Sequence, residues 1–295
     1  MSPERAPLYR VLAEVEVHRP VLVVALEGWV DAGMGSASAM AALISESSAV
    51  PVVEFDSGEL VDQRARRPVT TIADGVITAI SWPEIVVHAG TDRDGADVLY
   101  LSGPEPDFRW RPFIEDVVEL ATRWDVRMVV SLGAFPAPAP HTRPVRLAAT
   151  APPSSAHMLE GIGVVQGELE VPAGIHAALD LAFDEAGVQA VSLWARVPHY
   201  VATMPFPEAS AALIDGLAAA AGLALDASSL RAAADASRRT VDRLIAENRD
   251  HVAMVHQLEQ AVDAAEGNAL SVSGDLPTGE ELAAELERYL RDEGD

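Results

Sequence analysis

Val21 to Leu26 form a short apolar, Val-rich run, and a glycine-punctuated turn, Gly28-Trp-Val-Asp-Ala-Gly-Met-Gly35, follows almost at once. The run is far too short to cross a membrane, and the residues after the turn are rich in alanine as far as Glu46. A strand buried on both faces, a tight turn and a helix account for that order, because sheets covered on both sides select near-continuous Val, Ile and Leu. In open sheets of this kind, ligands sit outside the carboxyl ends of the strands, which makes Gly28 to Gly35 the functional edge.

The same alternation recurs for most of the chain. Further strands are expected at Val52 to Phe55, Val76 to Ile80, Ile85 to His88, Asp97 to Leu101, Arg127 to Leu132, Val145 to Thr150 and Ala190 to Val197. Helices are expected at Met34 to Glu46, Phe113 to Trp124, Ile175 to Ala186 and Glu208 to Ala221, with a polar, arginine-bearing loop from Asp56 to Pro68. Ile114, Val117, Val118 and Ala121 share one face of the second of these helices. The fold class is therefore α/β: three layers around a mostly parallel sheet.

From Ser228 onward no strand pattern remains. A heptad fits, with Ala234, Val241, Asn248, Val255 and Val262 at one seam position and Ser237, Leu244, His251, Leu258 and Ala265 at the other. That predicts one helix of about 40 residues, roughly 60 Å long. Gly267 to Pro277 reads as a linker and Gly279 to Leu290 as a second helix with Leu282, Leu286 and Leu290 in line, the pair making a C-terminal helical hairpin. The long helix either projects or folds back on its own α/β body. The expected division is residues 1–225 as the α/β core and 226–295 as the helical extension.

Charge and composition exclude several function classes. Against 21 basic residues stand 45 acidic ones, a formal charge of −24, which repels nucleic acid and anionic lipid over a Debye length of roughly 8 Å. Neither is expected as a partner. Cysteine is absent, which removes disulfides, thiolate nucleophiles and Cys-based metal sites. Neither a secretory leader pattern nor a membrane-length apolar run occurs, so the expected compartment is the cytoplasm.

Two groups of residues are candidates for chemistry. In the glycine turn, backbone N–H groups at a helix start could hold an anion, or Asp31 could cap the helix and occupy the same donors. Gly28, Gly33 and Gly35 do not match the dinucleotide fingerprint, and no phosphate-loop lysine follows. Glu105, Asp107, Arg109, His141, Arg143, His199 and Tyr200 all lie just past expected strand ends. Their loops could converge with Trp29, Asp31 and Gly33 on one cleft suited to acid/base chemistry or a polar ligand. The other reading, the more usual one for arginines beside acidic residues, is ion pairs that order proline-rich loops or seal an interface. Arg64, Arg66 and Arg67 make a basic patch in an acidic chain, fit for an acidic partner, a neighbouring subunit or simple solvation. The sequence contains no nucleophile elbow, zinc-protease motif or calcium loop, so no catalytic residue, metal or cofactor is assigned.

Several of these runs occur together and in order: Leu26-Glu-Gly-Trp-Val-Asp-Ala-Gly33, Asp62-Gln-Arg-Ala-Arg-Arg-Pro68, Ser102-Gly-Pro-Glu-Pro-Asp-Phe-Arg-Trp110, Pro140-His-Thr-Arg-Pro144 and Leu193-Trp-Ala-Arg-Val-Pro-His-Tyr200. Together they resemble the proteasome assembly chaperone 2 family, in its bacterial branch with a helical C-terminal extension. The resemblance implies a fold like that of purine nucleoside phosphorylases and related hydrolases. It also implies oligomeric association and, from the eukaryotic and archaeal relatives, proteasome subunits as candidate partners; together with the apolar seam that must be covered, it leads to an expected closed homo-oligomer, a trimer. Relatives that dock on proteasome rings often end in a hydrophobic-Tyr-any tail, whereas here Tyr289 stands six residues before Asp295. The expected function is an assembly or interaction protein; the alternative is a phosphorylase- or hydrolase-like enzyme acting on a nucleoside or similar polar molecule.

Overall fold

The computed structural model describes residues 5–28, 30–165 and 167–269. Its centre is an eight-stranded sheet made of β1 (Tyr9–Val11), β2 (Val21–Glu27), β3 (Val50–Phe55), β6 (Ile85–Thr91), β7 (Asp97–Pro104), β8 (Met128–Ala137), β9 (Leu147–Thr150) and β10 (Gln189–Pro198). The spatial order is β1-β3-β6-β7-β2-β8-β10-β9. The central strands β7, β2, β8 and β10 run parallel, and antiparallel strands flank them on both sides. Two further strands, β4 (Val69–Ala73) and β5 (Val76–Ser81), pair only with each other among the described residues.

Strand β2 shows how the sequence builds three layers. Its alternation sends Val21, Val23 and Ala25 to one face, where they meet Met40 and Leu43 of α1 (Gly35–Glu46) and Leu213 and Leu217 of α5 (Pro207–Ala221). Leu22, Val24 and Leu26 go to the other face, against Phe113, Val117 and Leu120 of α3 (Trp110–Arg123) and Leu179 and Phe183 of α4 (Ile175–Glu185). A single turn of helix, α2 (Ser57–Leu60), interrupts the loop after β3. Both faces of the strand are dry, which is why the run carries no polar alternation.

The C-terminal region departs from the single long helix read from the heptads. It forms two helices, α6 (Ser228–Ala246) and α7 (Arg249–Ala269), which pack against each other. Asn248 causes the break: its side chain accepts a hydrogen bond from the Asp250 N–H at 2.9 Å and its carbonyl from the Val252 N–H at 3.1 Å, the behaviour of a helix N-cap. Asn248 is therefore not a seam residue. Ala234, Val241 and Val255 are buried, with Val241 in the core beside α5, so one row of the expected seam closes on the chain's own α/β body. Leu244, from the other row, stays exposed. The helix expected at Gly279 to Leu290 lies outside the described residues. Among the described residues no helix is long and apolar enough to cross a membrane.

Candidate functional site

The glycine turn after β2 is self-capped. The Asp31 carboxylate accepts hydrogen bonds from the Ser36 N–H at 2.8 Å and the Ala37 N–H at 3.0 Å, the donors that an anion at the start of α1 would need. Gly33 sits at φ +64 with its N–H on the Ala202 carbonyl and its carbonyl accepting from the Phe206 N–H. A Cβ there would lie 2.8 Å from the Phe206 Cβ, so both the backbone region and the close approach require glycine. Trp29 lies outside the described residues. Asp31→Ala is expected to cost about 1–2 kcal/mol of stability through the lost cap, measured by urea unfolding; an unchanged midpoint would mean that the carboxylate caps nothing of consequence.

Glu105, Asp107 and Arg109 form a first network at the carboxyl ends of β2 and β7. Glu105 accepts from the Ile175 N–H at 2.5 Å, holding the start of α4, and its own N–H reaches the Glu27 carbonyl. A Cβ at Gly28 would run into the Glu105 carboxylate, so a larger residue there requires that side chain to move. Asp107 accepts from the Asp62 N–H at 2.7 Å and from Arg66 at 2.6 Å, while a second Arg66 nitrogen donates to the Glu27 carbonyl. Arg109 pairs with Glu59 of α2 at 2.5 Å. Asp107 and Arg66 fasten a loop beside the strand ends, Glu105 holds the start of α4, and Arg109 ties the start of α3 to α2. Arg64 and Arg67 lie exposed nearby.

His141, Arg143, His199 and Tyr200 form a second network, at the ends of β8 and β10, and its missing half comes from the arm. The His141 Nδ1 lies 2.7 Å from the Tyr200 hydroxyl and its Nε2 3.0 Å from Asp242 of α6. A carboxylate only accepts, so in the neutral ring Nε2–H donates to Asp242 and the Tyr200 O–H donates to Nδ1. The same hydroxyl oxygen accepts from the His141 backbone N–H at 2.8 Å. Burial pushes the Tyr200 phenol up to about 12, which leaves it protonated and poorly suited to proton abstraction. The His199 ring meets the Tyr200 ring edge-on.

Arg143 grips α7. Its Nε and one terminal nitrogen reach both oxygens of Asp263 at 2.8 and 2.7 Å, a bidentate pair, and its other terminal nitrogen reaches Glu259 at 3.2 Å. Glu259 also accepts from the Thr142 hydroxyl at 2.5 Å. These contacts hold Asp263 and Glu259 below their ordinary carboxylate values, the first through Arg143 and the second mainly through Thr142. A cavity of about 220 Å³ lies between His141, Asp242, Val255 and Glu259, where the arm meets the body.

The described candidate residues thus share one edge of the sheet but fall into two networks, the first closed in part by Arg66 of the basic patch and the second by partners that the sequence did not point to. Asp242, Glu259 and Asp263 were missed because they lie on a helical segment whose only local signal was its apolar seam. Among the described residues no group of three or more His, Asp or Glu side chains gathers where a metal could be held.

Comparison with known proteins agrees with this architecture. The model of the PAC2 family matches residues 25–245. A crystal structure of a Corynebacterium glutamicum protein of unknown function is 30% identical with a TM-score of 0.83, covering 87% of this chain and 97% of that one. A Mycobacterium tuberculosis homologue of proteasome-assembly chaperones is 35% identical with a TM-score of 0.73, covering 80% and 99%. An archaeal proteasome activator from Pyrococcus furiosus shares the fold at 16% identity, with a TM-score of 0.61 and coverage of 80% and 97%. No curated protein matches the chain. With three quarters of its length under the family model and relatives of 30% and 35% identity covering 87% and 80% of it, the chain belongs to the PAC2 family.

Proposed function

We propose that this protein is an assembly or interaction factor that works as a homo-oligomer, a trimer, and engages proteasome subunits in the cytoplasm. The observation that carries the reading is the state of the ionisable groups at the strand ends. Glu105, Asp107, Arg109, His141 and Arg143 each hold a loop or helix within the chain, an arrangement that builds a rigid docking surface rather than a set of groups free to move protons. Similarity to a proteasome-assembly chaperone homologue at 35% identity supports the choice of partner.

Purified chain mixed with proteasome α-subunits is expected to co-elute with them in size-exclusion chromatography and to hasten their assembly into rings. Separate elution and an unchanged assembly rate would remove the proposed partner. A panel of nucleosides with phosphate tests the enzymatic alternative: turnover that disappears in both His141→Ala and Glu105→Ala would replace the assembly reading with a phosphorylase-like one.

A further inference from the structure

Every residue of the β4–β5 hairpin is exposed. Val69, Ile72, Val76, Ile77 and Ile80, with Trp82 just beyond, are between 51 and 67% exposed. The register sets Ile72 opposite Ile77 and Ile80 opposite Thr70, so three isoleucines share one face, while Val69, Val76 and Ala79 share the other. A lone two-stranded hairpin is marginal in water, and this one presents apolar side chains on both sides. The apolar side chains are divided between two faces, so the isoleucine face supplies only part of the roughly 800 Å² that one partner gives to a standard interface.

Charge and pattern on the same chain indicate what covers it. At the root of the hairpin Arg64 and Arg67 are exposed in a molecule of charge −24. Elsewhere on the surface the irregular segment Glu168-Leu169-Glu170-Val171 alternates acidic and apolar residues, and Leu169 and Val171 are 41 and 52% exposed. Hairpin and segment are both open within one chain, so neither covers the other. Between copies they complement each other: apolar strand face against Leu169 and Val171, arginines against Glu168 and Glu170.

We propose that the β4–β5 hairpin of one copy docks on residues 168–171 of a second copy, an inference that rests on the homo-oligomer reading above. Because the two surfaces differ, the contact is head-to-tail, which in the closed oligomer read above makes a ring.

The chain has no cysteine, so Ile77→Cys and Leu169→Cys can each be introduced alone and the two proteins mixed under mild oxidation. The expected result is a covalent dimer well above the level either protein gives by itself. In sedimentation, Ile72→Asp with Ile77→Asp should reduce the assembly to the 31.2 kDa chain with its far-UV spectrum intact, since neither side chain enters the core. Arg64→Glu with Arg67→Glu should dissociate it likewise, and adding Glu168→Arg and Glu170→Arg to the same chain should restore it. An oligomer that survives the isoleucine substitutions, or that gives no mixed cross-link, overturns this interface and leaves the homo-oligomer reading standing. A wild-type chain that sediments as a monomer overturns both.

Discussion

Val241→Asp is expected to unfasten the C-terminal arm and to cost the folded state about 3–5 kcal/mol, the range for an uncompensated buried charge. Val241 is 1% exposed and sits in the core on the α1/α5 side of the sheet, with Leu230 and Ile245 of the same helix packed around that core. These residues and Ala234 form one stripe at helical spacing, so a carboxylate at Val241 is set among apolar side chains. Limited proteolysis should cut the variant between α5 and α6 while leaving the α/β body intact, and hydrogen exchange should accelerate across α6. Removing residues 228–295 should go further, baring the apolar surface that α6 covers and driving aggregation. A truncated chain that stays soluble with unchanged association would show that the arm covers nothing the body needs covered.

Asp180→Asn is expected to reveal a buried carboxylate that destabilises the protein at neutral pH. Asp180 lies on α4, 5% exposed; one oxygen accepts from the Ser192 hydroxyl at 2.6 Å and the other has no partner among the described residues. Burial raises its pKa from 3.8 to about 6, with the Ser192 hydrogen bond opposing the rise. The folded state therefore binds the proton more tightly than the unfolded chain does. That contribution is fully present below pH 3.8 and is lost as the pH rises through 6, a change of about 3 kcal/mol. The amide never ionises, so the variant's stability relative to wild type should improve by about that amount between pH 4 and pH 7, whatever fixed cost the extra N–H carries. His176, one turn earlier, has its pKa lowered by desolvation and contributes with the opposite sign in an overlapping window. The wild-type profile alone would hide the effect, and the difference between the two proteins exposes it. A pH-independent difference would show that Asp180 keeps its ordinary carboxylate value.

What could be read from the sequence follows the range of the interactions involved. Strand β2 and the turn after it were legible because an apolar run and a row of glycines are local signals, and the two-faced burial of Val21 to Leu26 confirms them. Strand β4 was not legible: three of the five residues of Val69-Thr-Thr-Ile-Ala73 are threonine or alanine, and the packing that usually marks a strand is missing on both of its faces. The Asp74-Gly75 pair between it and Val76 is a type I′ hairpin signal that would have found it. Asn248 suited a polar seam position and a helix cap equally well, and only the donor it accepts from decides between them. The closing partners of His141 and Arg143 left no trace, since no pattern in residues 141–143 specifies carboxylates at 242, 259 and 263.

That separation sets an order of events. His141 meets Asp242 across 101 residues and Arg143 meets Asp263 across 120, and the loop around His141 acquires its shape only once β8 and β10 lie side by side. Closing such long loops is entropically costly until the strands at their base are already joined. The arm therefore seats after the α/β body in refolding, and on the ribosome it also emerges after that body. Pulse-labelling hydrogen exchange should find the amides of α6 protected in a later phase than those of β2 and β8. Until that phase is complete, the groove for Val241 stays open, and the nascent protein is itself a client for whatever shields apolar surface in the cell.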